Sequence, residues 1–451
     1  MITRIATWWR GLGSVGVRRL LLLVLVLGGA LRVAWVAHAG VPPHFNSDPE
    51  AYLLQGETIA RGEGYTNPLI HIENELRARK HEAAIPTEPA AFYPPGYPVF
   101  VAGVTWVVWH TPIPDDAIVR TVDYVQAALG ILSILLVFLL ARRAFGARAG
   151  LIAAAIVAVY PNLITTTATL QLESVFMVLS LAAVVVLLPA ADGSDGGRTR
   201  LIAGGVLLGL VALVRPTIGL LLFALLATWL VARRPWRELG AGLAIAAGLM
   251  VAVVAPWTVR NAVRFHAFIP MSTGIGPALC MSRNPEATGA LSIPILERQC
   301  QPKRLASQNA AQFDVAVNKY ATSHAIKWVE HHPASEVRMW FTRTNRAYHH
   351  DTSGLDDYRS SMSASSYRLA ARVSDWVSYV VLVLALVGML IVLRRRRPDG
   401  IFLLASAISF AIVPIILFGD PRYRVPAMPF FVVLAALAVD RILAAVRVAH
   451  R

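Results

Sequence analysis

Long apolar runs alternate with short arginine-rich loops along most of this chain. Several of the runs reach or approach the about 20 residues that a helix needs to cross a bilayer. The chain has 451 residues, and 56% of them are hydrophobic. The pattern predicts an all-α polytopic membrane protein with about ten transmembrane helices and external loops.

The first apolar run ends near His38, and no small-residue cleavage site follows it convincingly, so we interpret it as a retained span. A polar segment at 38–97 comes next, followed by a short apolar run at 99–110. If 99–110 crossed the membrane, the arginines at 142–148 would lie outside. If it is re-entrant or interfacial, the later loops obey the positive-inside rule, and we favour this solution.

The same pattern divides the chain into three parts. Residues 1–256 form a transmembrane catalytic module that includes the external loop 38–97. Residues 257–375 form an external region without a run long enough to span, and its Ser-rich end resembles a flexible linker. Residues 376–451 return to the membrane. The net charge of +15 lies mostly in loops between spans, which indicates orientation and anionic lipid rather than nucleic acid.

Two carboxylates at the predicted outer surface are candidates for chemistry. Asp48 lies immediately outside the first span, and it either caps a surface helix or acts as a carboxylate base at the membrane surface. Glu173 lies just inside the outer end of a predicted span. It is either an interfacial group that reaches water or a functional residue, because ionisable groups inside a span are costly.

Arginines and tyrosines near the outer span ends suggest a ligand. A single arginine at such a place usually contacts lipid headgroups, but several of them on the outer side oppose the usual charge bias and indicate a bound anion. The arginines are Arg215, Arg260, Arg422 and Arg424. Tyr93 and Tyr97 lie on a stiff proline-rich turn that suits the lining of a sugar site.

The remaining motifs are less specific. Cys280 and Cys300 share the external region, where they either form a disulfide in an oxidising compartment or remain two thiols. The histidine pairs 331–332 and 349–350 lack zinc-type spacing. No nucleotide-binding motif is present, so we expect neither a metal nor a cofactor.

The order of several short motifs carries a family resemblance over nearly the whole chain. They are "SDPEAY", "YPPGYP", "LESVF", "LVRPT", "PWTVRN", "NPEATG" and "DPRYRVPAMP". This series resembles bacterial membrane glycosyltransferases of the GT-C fold, in the family 39-like group of protein mannosyltransferases and aminoarabinose transferases. The resemblance implies a polyprenyl-phosphate sugar donor, a glycan, lipid or protein acceptor, and an active site on the outer face of the bacterial plasma membrane, in cell-envelope or protein glycosylation.

We therefore predict a glycosyltransferase that transfers a hexosyl or pentosyl group with inversion. Asp48 is the predicted general base, and Glu173 is the second catalytic residue. The predicted substrate-binding residues are Glu50, Tyr52, Tyr93, Tyr97, Arg215, Arg260, Asn284, Arg422 and Arg424. The alternative is a transporter or flippase of lipid-linked sugars, which predicts charged residues in mid-span and paired broken helices.

Overall fold

A computed structural model describes residues 13–39, 47–193 and 197–448. Within these ranges the regular secondary structure is helical, apart from one isolated bridge between Thr66 and Pro89. The all-α prediction is confirmed. Positions 40–46 of the polar segment 38–97 lie outside the described residues.

The first part of the chain, up to Phe265, contains long apolar helices and three shorter helices that precede the second long one. In chain order they are α1 (Ser14–Ala39), α2 (Asp48–Ala60), α3 (Pro68–Arg79), α4 (Gly96–Trp109), α5 (Ile118–Phe145), α6 (Ala147–Val159), α7 (Pro161–Thr165), α8 (Glu173–Asp192), α9 (Gly197–Val214), α10 (Leu220–Val231) and α11 (Trp236–Phe265). Short 3₁₀ turns lead into α5 and α10 and follow α7.

The second part begins with short helices and ends with further long apolar ones. They are α12 (Ile275–Cys280), α13 (Ile293–Gln299), α14 (Ala310–His331), α15 (Pro333–His349), α16 (Ser353–Asp356), α17 (Ala364–Arg395), α18 (Pro398–Ala411), α19 (Val413–Ile416) and α20 (Met428–Val448). A 3₁₀ turn at Pro421–Ala427 leads into α20.

Among the described residues, eight helices are long and apolar enough to cross a membrane, and α6 with α7 makes a ninth pass bent by 64°. Helix α10 is shorter, but it runs alongside α8 over most of its length. Arg215, just before α10, pairs with Glu173 at the start of α8, and Trp229 donates a hydrogen bond to the Ala190 carbonyl near its end. The count agrees with the prediction of about ten passes.

The helix connections lie at two opposite ends of the bundle. One end contains the turns after α5, α8, α10 and α17 with their arginines, and we call it the basic end. The other contains α2–α4, the start of α8 and the whole of 266–363, and we call it the site end. The connections between successive long helices therefore alternate between the two ends, as expected for a chain that crosses the membrane repeatedly.

Helix α4, which covers the ambiguous run 99–110, stays at the site end. Its first residue, Gly96, packs against Leu213 near the end of α9, while Trp109 at its last turn lies under the guanidinium of Arg61. Fourteen residues span only about 21 Å, less than the hydrocarbon core of about 30 Å. An interfacial position, the solution that we favoured, fits this helix.

The region between α11 and α17 is a separate layer at the site end, and we call it the external layer because it lies outside the helix bundle. It is shorter than the predicted 257–375, because α11 continues to Phe265 and α17 begins at Ala364. The Ser-rich stretch predicted to be a linker is the start of α17, since the Ser363 hydroxyl caps that helix by accepting from the Ser366 amide. Cys280 and Cys300 form a disulfide that is buried against α14.

We expect this disulfide to stabilise the layer measurably. The two cysteines are 20 residues apart, and a loop of that size corresponds to about 3 kcal/mol in the chain-entropy model. A Cys280→Ala/Cys300→Ala variant should therefore melt at a lower temperature, as measured by tryptophan fluorescence. Rapid maleimide labelling of both thiols in the native, unreduced protein would contradict the pairing.

The turn before α20 is fixed by close helix packing. A Cβ at Gly388 of α17 would overlap the Leu434 carbonyl of α20, so only glycine allows these two helices to approach so closely. This contact sets the position of α20 and hence of the preceding turn at Pro421–Ala427, which carries Arg422 and Arg424.

Candidate active site

Asp48 is the first residue of α2 and faces the bundle. Its Oδ1 accepts a hydrogen bond of 2.6 Å from the Tyr93 hydroxyl, and its Oδ2 accepts one of 2.8 Å from Nη2 of Arg422. Arg422 is 374 residues further along the chain. The side chain of Ser47, the N-cap, makes no capping hydrogen bond. The Asp48 carboxylate therefore binds tertiary partners rather than serving only as a capping acid.

A second carboxylate, Glu173, lies behind Arg422. The Glu173 side chain is fully buried at the start of α8, and its Oε1 accepts a 2.8 Å hydrogen bond from Nη2 of Arg215. Nε of Arg422 lies 3.1 Å from the same oxygen, as an ion-pair contact without hydrogen-bond geometry. Among the described residues, Glu173 Oε2 has no hydrogen-bond partner. We call Asp48, Tyr93, Arg422, Glu173 and Arg215 the carboxylate–arginine cluster.

Aromatic rings surround this cluster. The ring centroid of Tyr52 lies 4.8 Å from that of Tyr93 and 4.8 Å from that of Tyr97. The Tyr97 hydroxyl donates to Oε1 of Gln126, so it is turned into the bundle. On the opposite side, the Arg215 guanidinium lies 4.7 Å from the ring centroid of Tyr423. Tyr52 and Tyr97 are buried, and Tyr52 packs directly against Tyr93. Among the described residues, Tyr93 is the one of these three tyrosines that donates a hydrogen bond to Asp48.

The surroundings keep Asp48 ionised. Burial raises the pKa of this carboxyl, but the charge of Arg422 and the hydrogen bonds from Tyr93 and Arg422 together lower it by more, so the pKa stays below its ordinary value. Burial and the neighbouring Asp48 charge raise the pKa of Tyr93. At neutral pH, the site therefore holds a carboxylate that accepts a hydrogen bond from a protonated tyrosine.

Three predicted binding residues lie outside the cluster or at its edge. Arg260 donates to the Ala90 and Tyr65 carbonyls, and thus fastens the loop that leads to Tyr93. Asn284 stabilises a turn in the external layer through the Cys280 carbonyl. Glu50 follows Asp48 in the first turn of α2 and is partly buried.

Arg424 belongs to a second buried network. Its guanidinium lies 2.7 Å from Oδ1 of Asp351, and both side chains are fully buried. The Tyr160 hydroxyl donates to Oδ2 of Asp351 at 2.5 Å, and the Asn162 amide donates to Oδ1 at 2.6 Å. This network joins the external layer, the bend between α6 and α7, and the turn that carries Arg422.

Sequence reasoning missed Asp351, Tyr160 and Asn162. The signal for the latter two was "VYPNL", where a proline and polar groups interrupt an apolar run. Within a membrane span, irregular backbone and polar groups are tolerated where they are buried in protein. Nothing in the local sequence distinguishes Asp351 from the other acids of the external layer.

The order and packing of the helices are those of a polytopic membrane protein with the GT-C fold. Residues 115–259 match the family model described as dolichyl-phosphate-mannose-protein mannosyltransferase. No curated protein sequence matches the chain significantly.

Three solved structures share this fold at low sequence identity. The Archaeoglobus fulgidus oligosaccharyltransferase tethered with an acceptor peptide containing the NVT sequon is 14% identical, with a TM-score of 0.56 over 97% of this chain and 50% of that chain. The oligosaccharyltransferase AglB from the same organism, in complex with an inhibitory peptide and a dolichol-phosphate, is 14% identical, with a TM-score of 0.55 over 96% and 51%. ArnT from Cupriavidus metallidurans in the apo state is 16% identical, with a TM-score of 0.52 over 93% and 60%. The present chain spans about half the length of the archaeal proteins that it matches.

Proposed function

We propose that this protein is an integral membrane glycosyltransferase that moves a sugar from a polyprenyl-phosphate donor to an acceptor at the site end. The observation that carries the proposal is the carboxylate–arginine cluster, in which Asp48 is held by Tyr93 and Arg422 at the mouth of the bundle. The mannosyltransferase family match and the likeness to AglB, whose structure contains a dolichol-phosphate, support a lipid-phosphate donor.

In the proposed reaction, Asp48 takes the proton of an acceptor hydroxyl while the acceptor oxygen attacks the anomeric carbon. The bond from that carbon to the phosphate oxygen breaks, and its electron pair leaves with the polyprenyl phosphate. One carboxylate base and one direct displacement invert the configuration at the anomeric carbon. The leaving phosphate needs little help from a general acid, because its second pKa is near 6.

The charges of the carboxylate–arginine cluster suit this proposed reaction. Before the reaction, the carboxylates of Asp48 and Glu173 balance the guanidiniums of Arg215 and Arg422. When Asp48 accepts the proton, the cluster gains one net positive charge at the moment when the phosphate gains a negative one. Preorganised charge of this kind is typically a large contribution to catalysis. Donor phosphate that draws Arg422 away from Asp48 would also make Asp48 a stronger base.

We propose further that the site end faces the outside of the cell membrane. The arginines at the basic end fit the cytoplasmic side under the positive-inside rule. The Cys280–Cys300 disulfide lies in the layer at the site end, and disulfides persist in oxidising compartments.

Purified protein should be assayed with labelled polyprenyl-phosphate hexoses and pentoses in vesicles. We expect transfer to an acceptor, or slow hydrolysis to the free sugar, with release of polyprenyl phosphate. Movement of the labelled lipid between leaflets without sugar transfer would support a flippase instead. Inactivity toward every donor, by folded protein, would contradict the proposed donor class.

The role of Arg422 can be tested by pH dependence. Transfer requires ionised Asp48, so it is present above the pKa of this carboxyl and lost as the pH falls through it. Arg422→Gln removes the charge that lowers this pKa, so the acid limb of kcat/KM should move to higher pH. The maximum should also fall by about 10²–10³-fold, the usual effect of removing one charge-stabilising donor.

Arg61→Gln is the matched control for this profile. Arg61 forms exposed ion pairs with Glu57 and Glu75, away from the cluster. We expect the acid limb of this variant to coincide with that of the wild type. An unchanged acid limb in Arg422→Gln would show that Arg422 does not set the ionisation of the base.

A further inference from the structure

A pocket of about 240 Å³ opens at the basic end, on the side of the bundle opposite to Asp48. Its walls come from the ends of α5, α17 and α20 and the starts of α6 and α18. Five arginines and one acid line it: Arg142, Arg143, Arg395, Arg397, Arg441 and Asp399. The pocket therefore has an excess of four positive charges, and it is smaller than the about 300–1,000 Å³ typical of sites for drug-sized ligands.

The arginines of this pocket differ in how they are held. Arg397 pairs with the buried Asp399, whose Oδ1 also accepts the Gly400 amide, and Arg143 pairs with Asp192 at 3.0 Å. These acids orient two of the guanidiniums. Among the described residues, no acid lies within ion-pair distance of the other three, Arg142, Arg395 and Arg441.

The backbone adds to the positive potential. The first turn of α6 starts beside Gly146, which lines the pocket, and α6 has 13 residues. Amides in the first turn of a helix have no partner within it, and its dipole favours an anion there. The pocket also lies where the apolar parts of α5, α17 and α20 give way to arginines, and anionic headgroups meet spanning helices at such a boundary.

We propose that this pocket binds the phosphate group of an anionic lipid headgroup. Arginines suit a phosphate because their planar forks donate paired hydrogen bonds to its oxygens. Orientation of the chain in the membrane needs positive loops, but it does not require five arginines, from three helices and the turn before α18, to converge on one concave site. Basic pockets between transmembrane helices are typical places for anionic headgroups.

The test compares two pairs of arginines at the same end. Wild-type protein and Arg395→Gln/Arg441→Gln are placed in phosphatidylcholine nanodiscs with a small fraction of phosphatidylglycerol, and retained phosphatidylglycerol is counted by native mass spectrometry. The matched control is Arg198→Gln/Arg237→Gln, which removes the same charge from exposed arginines that do not line the pocket. We expect about tenfold weaker retention in the pocket variant and less than twofold in the control.

Equal weakening in both variants, or retention that does not saturate, would overturn the proposal in favour of diffuse surface charge. A second arm adds inorganic phosphate at constant ionic strength. Displacement of the retained lipid would show that the site recognises phosphate itself and accepts it from solution. Saturable retention that resists inorganic phosphate would identify the lipid as the source. Neither arm depends on sugar transfer, so the result is independent of the proposed function.

Discussion

Asp48→Asn is expected to lower the rate of sugar transfer by about 10²–10⁴-fold, the usual contribution of a general base. The amide has nearly the same size as the carboxylate and can still accept the Tyr93 hydrogen bond, but it cannot take the acceptor proton. It also removes the charge that pairs with Arg422. The measurement is kcat/KM for a polyprenyl-phosphate sugar, together with the thermal stability of the variant.

Glu57→Gln is the matched control, because Glu57 lies on the same helix and pairs with Arg61 instead of the cluster. Its activity should remain within about twofold of the wild type. Asp48→Glu should recover part of the rate, since it restores the base at a shifted position. Full activity in folded Asp48→Asn would exclude Asp48 as the base and leave the cluster a structural role.

The members of the cluster could be predicted from the sequence, but their pairing could not. Asp48, Glu173 and Arg422 were each conspicuous as ionisable groups close to the end of an apolar run. The sequence placed them at one end of the membrane through the alternation of spans. It contained no signal that Arg422 contacts both acids, because this contact depends on how α20 packs against α17 and α6 and thereby places the turn at Pro421–Ala427 beside α8.

Arg424 shows the limit of such reasoning more clearly. It is two residues from Arg422 and has the same relation to the span, so the sequence predicts the same role for both. The 3₁₀ turn at Pro421–Ala427 directs the two side chains to different partners: Arg422 to Asp48, and Arg424 to Asp351. Side-chain direction in an irregular turn depends on the fold around it, which no periodicity reveals.

The helical part of the fold was more predictable than the polar regions because membrane helices must satisfy their backbone internally. The Ser-rich stretch before α17 illustrates the contrast. Serine is common in loops, but it is also a preferred N-cap. Here the Ser363 hydroxyl caps the N-terminus of the 32-residue helix α17. Composition alone does not separate these two uses.

Asp351→Asn should have the largest effect on stability. The variant leaves the guanidinium of Arg424 buried without a countercharge, and breaking a buried ion pair in this way costs about 3–5 kcal/mol. The variant should therefore unfold at a clearly lower temperature than the wild type. Asp356→Asn is the control, because Asp356 lies in the same segment but is exposed, and it should change the melting temperature little.

A double variant separates stability from positioning. Asp351→Asn/Arg424→Met removes both charges, and replacing a buried pair with apolar groups is often neutral, so it should recover much of the lost stability. Because this network fixes the turn that carries Arg422, the stabilised double variant should still transfer sugar more slowly, with the loss in kcat rather than in the melting temperature. Wild-type kcat in the double variant would mean that the network only stabilises the fold and that the turn finds its position without it.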